Sequence, residues 1–332
     1  MASIVFSPAR PSDRLTTVRE DAPEYLVRLV SALPPWRPGL MPGGAREYLE
    51  LYGLDMSEAF PDCVHGLGAF ESGDHHLALH TWELSDARET LYLVHGYFDH
   101  VGLYRHLVRY GLEQGYNVVA FDLPGHGLSS GPRAEILDFA EYRRAIVDVL
   151  AATSELTGPR HVIAQSTGGA AVMDFLQLEE PTFDKVVLLA PLVWPQGWGR
   201  INFIYLLLHR FVDSVPRAFA DSSQDPEFLD FVREDPLQSQ VIPVCWVGAL
   251  RRWIRAFSSR PPCPRPLLIL QGDDDGTVDW RRNLKQLERS FPAAHVETLA
   301  TARHHLVNEH APIREAFLHK ITRFLRPGTA ST

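Results

Sequence analysis

Basic residues are in short supply in this 332-residue chain: 32 Lys and Arg stand against 41 Asp and Glu, a formal net charge of −9. Phosphate backbones demand a basic face, so nucleic acid is not expected as a partner. Cysteine is scarcer still. Cys63, Cys245 and Cys263 form no CxxC pair and leave an odd count, which offers neither a disulfide framework nor a zinc site. No apolar run approaches the ~18 residues that span a bilayer. The first residues, MASIVFSPARPSDRL, lack the basic start and apolar core of a leader. Repeats and low-complexity tracts are missing too. What remains is the composition of an ordinary globular protein, 45% hydrophobic and 22% charged. The expectation is a soluble, cytoplasmic chain of one large domain or two modest ones.

The pattern of what is present changes along the chain. Residues 1–65 are irregular and proline-rich, with two helical stretches, PEYLVRLVSAL and AREYLELYG, the second stopped by Gly53. No chemistry is visible there, and packing against the downstream domain is the expected role. LGAFESGDHHLALHTWEL then reads as a β-hairpin around ESGD. From ETLYLVHG onward, uninterrupted Val/Ile/Leu strands alternate with helices, the signature of a parallel sheet covered on both faces. The alternation breaks once, between Pro191 and Pro262, in a segment expected to be helical and unusually aromatic. Within it, CWVGALRRWIRAF carries an apolar stripe with Arg251, Arg252 and Arg255 opposite, best read as a solvated face. INFIYLLLHRF is apolar around most of its circumference and should be buried or bound. An insert between two strands of a parallel sheet falls over the C-terminal edge, where ligands of such sheets bind.

Between the strand HVIAQ and the small-residue helix TGGAAVMDFL sits Ser166. A tight strand-to-helix corner exposes a nucleophile, and its neighbours must be small. Here Ala164-Gln165-Ser166-Thr167-Gly168 matches the G-x-S-x-G pattern with alanine in place of the first glycine. Alone, the serine could be a helix N-cap. A hydroxyl becomes nucleophilic only when a base takes its proton and a carboxylate orients that base. In this sheet type the order is Ser, then Asp or Glu, then His. Asp273, Asp274 and Asp275 follow the strand PLLILQG, and His304 and His305 follow HVETL, both at strand ends on the edge that carries Ser166. One oxyanion donor is expected from the Thr167 N–H, directly after the serine.

The motifs LVHGYFDHVGLY, GYNVVAFDLPGHGLSSG, AQSTGG, LILQGDDDGTV and ARHHLVNE resemble the α/β-hydrolases, in the branch of monoacylglycerol lipases and lysophospholipases. The resemblance covers roughly residues 66 to 328 and implies a mostly parallel sheet flanked by helices. It divides the chain into an N-terminal helical extension (1–65), a first core part (66–190), a helical cap over the C-terminal sheet edge (191–262) and a second core part (263–332). It makes Ser166 the nucleophile. It selects Asp275 as the acid from the G-x-x-D-x-x-V spacing between Gly272 and Val278, with Asp273 and Asp274 as alternatives. It selects His304 as the base, five residues before Glu309, with His305 as the fallback. The second oxyanion donor becomes the Tyr97 N–H. His95 and Gly96 shape that loop, Gly96 by allowing a conformation that a side chain would block, and Gly125, His126 and Gly127 shape a turn.

The implied activity is cleavage of carboxylic esters with medium or long acyl chains, held under an aromatic cap, with no metal or organic cofactor. The expected partner is a small acyl ester, with at most peripheral membrane contact through the cap. A thioesterase, peptidase or acyltransferase would keep the same residues. A non-catalytic ligand-binding descendant would be expected to lose one of them.

Overall fold

Strands that are apolar on both sides need cover on both faces, and that requirement organises this fold. The computed structural model describes residues 18, 19 and 21–326. The stretch MASIVFSPARPSDRL, considered as a leader, lies outside the described residues. Helices α1 (Glu24–Ser31) and α2 (Ala45–Tyr52) precede the hairpin of β1 (Val64–Ser72) and β2 (His75–Glu83). Next come β3 (Thr90–Val94), α3 (Arg105–Glu113), β4 (Asn117–Phe121), α4 (Ala140–Ala152), β5 (Arg160–Gln165), α5 (Thr167–Leu178) and β6 (Lys185–Leu189). The chain then leaves the sheet through α6 (Trp198–Leu208), β7 (Ser214–Pro216), α7 (Pro226–Glu234), β8 (Val241–Pro243) and α8 (Val244–Ser259). It returns with β9 (Leu268–Gly272), α9 (Trp280–Ser290), β10 (His295–Leu299) and α10 (Ala311–Leu325).

The eight-stranded sheet runs β1-β2-β4-β3-β5-β6-β9-β10. Strand β2 is antiparallel to both β1 and β4, and every other neighbouring pair is parallel. Strands β3, β4 and β9 are buried at every residue. Along β3 the side chains divide between two cores. Tyr92 and Val94 join Tyr142 of α4, Val172 of α5, Trp253 of α8 and Leu287 of α9, while Leu91 and Leu93 join Tyr48 of α2, Leu107 of α3 and Phe317 of α10. This is the mostly parallel, doubly covered sheet expected from the strand–helix alternation.

Two features go beyond the sequence reading. Residues 34–40 of the extension lie along the edge strand β1: Trp36 N–H donates to the Ala69 carbonyl (2.8 Å), Ala69 N–H to Pro34 (2.8 Å) and Leu67 N–H to Leu40 (2.8 Å). The sheet edge is thereby paired rather than left open. The inserted segment is not purely helical. Strands β7 and β8 pair antiparallel as a separate ribbon. Three residues each, they are too short to leave a periodic signal in the sequence.

Candidate active site

Strand β5 ends at Gln165 and helix α5 begins at Thr167, so Ser166 alone makes the corner. Its φ of 50° and ψ of −110° lie where a side chain is rarely tolerated. Such a conformation costs about 1–3 kcal/mol and persists only when its surroundings enforce it. Here Ser166 N–H donates to the Leu189 carbonyl (2.9 Å), and Leu192 N–H donates to the Ser166 carbonyl (3.1 Å). The small residues behind it are needed for space: a Cβ on Gly168 would stand 2.5 Å from the carbonyl oxygens of Val94 and His95.

Two later strand ends deliver partners to this serine. His304 Nε2 lies 2.9 Å from Ser166 Oγ, and His304 Nδ1 lies 2.7 Å from Asp275 Oδ2. The Asp275 carboxylate is fully engaged: Gln271 Nε2 donates to Oδ2 (2.9 Å), and the N–H groups of Thr277 and Val278 donate to Oδ1 (2.8 and 3.1 Å). Burial alone would raise the Asp275 carboxyl, but the His304 ring and these donors hold it below the ordinary carboxylate range. Burial likewise pulls His304 down, yet the Asp275 charge outweighs it and leaves the imidazole above its usual value.

The neighbouring alternatives go elsewhere. Asp273 Oδ1 accepts from Thr301 N–H (2.6 Å), and Asp274 Oδ2 lies 3.5 Å from Arg303 Nε. His305 Nε2 is 3.1 Å from Asp99 Oδ1, and its ring does not hydrogen-bond Ser166. Glu309, which marked the histidine by spacing, is fully buried and ties the loop to the insert. Its Oε1 accepts from Arg303 N–H (2.6 Å) and its Oε2 from Gln224 N–H (2.8 Å).

Tyr97 and Thr167 border the same cavity as Ser166. Among the described residues, neither N–H has a backbone acceptor, and Thr167 opens α5, where first-turn donors are free of the helix. The positive-φ backbone of this loop falls on Phe98, at φ 67°, and not on Gly96. Gly96 is required for space instead, since a Cβ there would meet Asp99 Oδ2 at 2.8 Å and Ser166 Cβ at 3.3 Å. The loop is gripped from outside. The Tyr97 ring stacks on Trp246 of α8 (3.8 Å) and packs tilted against Phe98 (4.0 Å), and its hydroxyl donates to the Ala134 carbonyl (2.7 Å). His95 holds the loop from inside: Leu123 N–H donates to its Nε2 (2.9 Å), so its Nδ1–H donates to the Gly96 carbonyl (2.8 Å).

The sequence reading did not single out Gln165, Gln271 or Asp99. Gln165 Nε2 donates to the His304 carbonyl (2.8 Å) across a separation of 139 residues. Asp99 accepts from Gly96 N–H (3.2 Å) and the Tyr104 hydroxyl (3.1 Å). An unremarkable glutamine at each of two strand ends was the available signal, and spacing gives it no meaning.

The cavity has a volume of about 520 Å³. Ser166, His304 and Tyr97 border it, and Ile201, Tyr205 and Leu208 of α6 with Trp246 and Leu250 of α8 supply much of its apolar wall.

A serine on a strained strand–helix corner, with a histidine and an aspartate brought to it from the ends of two later strands of a mainly parallel sheet, defines an α/β-hydrolase. The chain belongs to the serine aminopeptidase S33 family of hydrolases, whose model matches residues 85–311. It is 26% identical over 255 residues to a monoacylglycerol lipase of Mycolicibacterium smegmatis, covering 73% of this chain and 89% of that one. It is 24% identical over 212 residues to the phospholipase YtpA of Bacillus subtilis, covering 60% of this chain and 80% of that one. A soluble variant of monoglyceride lipase from Saccharomyces cerevisiae, solved with a substrate analog, shares the fold at a TM-score of 0.67 and 16% identity, over 80% of this chain and 95% of that one.

Proposed function

We propose that the protein is a serine hydrolase that cleaves carboxylic esters of medium or long acyl chains, of monoacylglycerol or lysophospholipid type, through an acyl-enzyme. One observation carries the reading: the 2.9 Å contact of Ser166 Oγ with a His304 ring that Asp275 orients, on the wall of an apolar cavity. His304 Nε2 takes the Ser166 proton, and Oγ attacks the ester carbonyl. The oxyanion accepts hydrogen bonds from the Thr167 and Tyr97 N–H groups. His304 returns the proton to the leaving alcohol, and water repeats the sequence on the acyl-serine. Each methylene placed against the apolar wall contributes about 0.8 kcal/mol, which favours long chains over acetate. The similarity to a monoacylglycerol lipase and a phospholipase supports the same substrate class.

The outer side of α6 supports contact with a lipid surface. Phe203, Leu207 and, just beyond the helix, Phe211 are 62%, 57% and 80% exposed. No helix among the described residues is long and apolar enough to cross a membrane. The three cysteines are unpaired, which fits a reducing cytoplasm. An aminopeptidase needs a free anion for the substrate ammonium. The acid of the cavity wall, Asp99, is already engaged by His305, Tyr104 and Gly96, which favours the ester reading.

The test is a fluorophosphonate label together with a series of nitrophenyl and glycerol esters from acetyl to dodecanoyl. Labelling is expected in the wild type and not in Ser166→Ala, with kcat/KM rising by up to about fourfold per methylene. Activity retained in Ser166→Ala would remove the mechanism. A clear preference for acetyl esters would remove the lipid assignment alone.

A further inference from the structure

We propose that Arg217 makes this cavity a receptor for esters that carry an anionic group, a phosphate or a carboxylate, together with the acyl chain. The proposal rests on the ester-hydrolase reading and adds a charge requirement to it.

Arg217 follows β7 and borders the cavity that contains Ser166 and His304. Its guanidinium lies over two rings, 3.9 Å from the Phe98 centroid and 4.3 Å from that of Phe219. One nitrogen is spoken for: Nη1 donates to Gln238 Oε1 (2.6 Å) and to the Ser239 carbonyl (3.2 Å). Among the described residues, no acceptor engages Nε or Nη2, and no carboxylate pairs with the group. Burial brings its pKa down to about 10, against the opposing pull of Asp99 and Asp235, so it stays charged at neutral pH.

The acids that could neutralise it are committed to other partners. Asp99 pairs with His305 at 3.1 Å, and Asp235 pairs with His100 at 2.8 Å. Arg143 and Arg260, which are similarly sheltered, both reach Asp174, at 3.0 and 2.6 Å. Arg217 is thus a stacked, pre-positioned cation with open donors on a mostly apolar wall. Holding a charge there without a partner is costly, and an incoming anion relieves that cost. The planar fork of arginine suits phosphate and carboxylate, which it can bind with two parallel hydrogen bonds. A purely structural role would be met by the Nη1 contacts and the rings, and leaves the remaining donors unexplained.

Two substrate pairs test this on the wild type and place the anion. One is 1-dodecanoylglycerol 3-phosphate against 1-dodecanoylglycerol, with the charge on the alcohol side. The other is the 4-nitrophenyl monoester of dodecanedioic acid against 4-nitrophenyl dodecanoate, with the charge at the acyl end. We expect at least a tenfold kcat/KM preference for the anionic member of one pair, carried mainly by KM. The ratio should collapse to below threefold in Arg217→Gln, persist in part in Arg217→Lys, and persist in Arg251→Gln, a control on α8 whose Nε donates to Asn202. Equal or better use of the neutral member in both pairs overturns the proposal, as does an unchanged ratio in Arg217→Gln. Calorimetry of dodecyl phosphate against dodecanol on Ser166→Ala reads the same site without turnover. Tenfold tighter binding of the phosphate is expected, and equal binding refutes the site even if Arg217→Gln fails to fold. If no ester is turned over while that selectivity holds, the hydrolase reading fails and the anion site stands.

Discussion

In the proposed mechanism Ser166 supplies the reacting oxygen, and its backbone is strained at φ 50°; the two properties separate on substitution. Glycine tolerates positive φ, so Ser166→Gly removes the hydroxyl and relieves about 1–3 kcal/mol of strain, offset in part by about 0.4–1 kcal/mol of extra unfolded-state entropy. Ser166→Gly is expected to be inactive yet to melt at or above the wild-type temperature in calorimetry. A lower melting temperature would mean that the corner is not strained. His304 gives a second prediction. In the proposed mechanism the free base is the active form, and Asp275 holds its pKa above the ordinary ~6.5, so kcat/KM should fall on acidification with a midpoint above ~6.5. Asp275→Asn withdraws that charge. Activity should drop by about 10⁴-fold, and the residual acid limb should move to lower pH. The stability share of the pair has the matching sign. The His304 part is full below ~6.5 and lost as pH rises through the raised value, while the Asp275 part is lost as pH falls through its lowered one.

At the scale of elements, α6 is the helix whose surroundings decide its meaning. None of its residues is fully buried, although its sequence is apolar nearly all round. Ile201, Ile204, Tyr205 and Leu208 border the cavity, spaced as one helical face, while Phe203 and Leu207 are exposed on another. Phe203→Glu with Leu207→Glu should therefore lower the ratio of activity on monoacylglycerol vesicles to activity on a soluble nitrophenyl ester by tenfold or more. An unchanged ratio would show that the outer face plays no part in lipid contact. Helix α8 grips the Tyr97 loop through the Trp246–Tyr97 stack. Trp246→Ala should lower kcat more than it raises KM in steady-state assays if the Tyr97 N–H is the proposed oxyanion donor, since it loosens that loop and leaves most of the apolar wall in place.

Across the whole molecule, one buried cluster joins three distant parts of the chain. Asp235, just past α7 in the insert, accepts from the Tyr52 hydroxyl of α2 (2.7 Å) and pairs with His100 of the core (2.8 Å). Burial opposes both charges, but each ion outweighs it for the other, raising His100 and lowering Asp235. Asp235→Ala removes the acceptor of two buried donors, the Tyr52 hydroxyl and His100 Nε2–H, so it should cost about 1–3 kcal/mol for each in chemical denaturation at neutral pH. Burial also holds His80, His95 and His126 below their ordinary values. The unfolded chain then takes up protons that the folded chain refuses, so stability falls as pH drops below ~6.5. Without its carboxylate partner His100 joins that group, and the acid loss of Asp235→Ala should be steeper than that of the wild type.

Period and punctuation alone determined the alternating strands and helices, the hairpin before them, the break at the insert, and a serine at a strand–helix corner. These are local properties: side-chain spacing, small residues and turn chemistry act within a few positions of one another. Which of Asp273, Asp274 and Asp275 meets His304, which histidine meets Ser166, and how Gln165 and Glu309 fasten that loop were decided by tertiary structure. These contacts join residues up to 139 positions apart, and no local pattern encodes their distance. The same holds for α6, whose apolar circumference is written in the sequence. Only packing divides it into a cavity wall and an exposed face, because burial belongs to the assembled molecule and not to the helix.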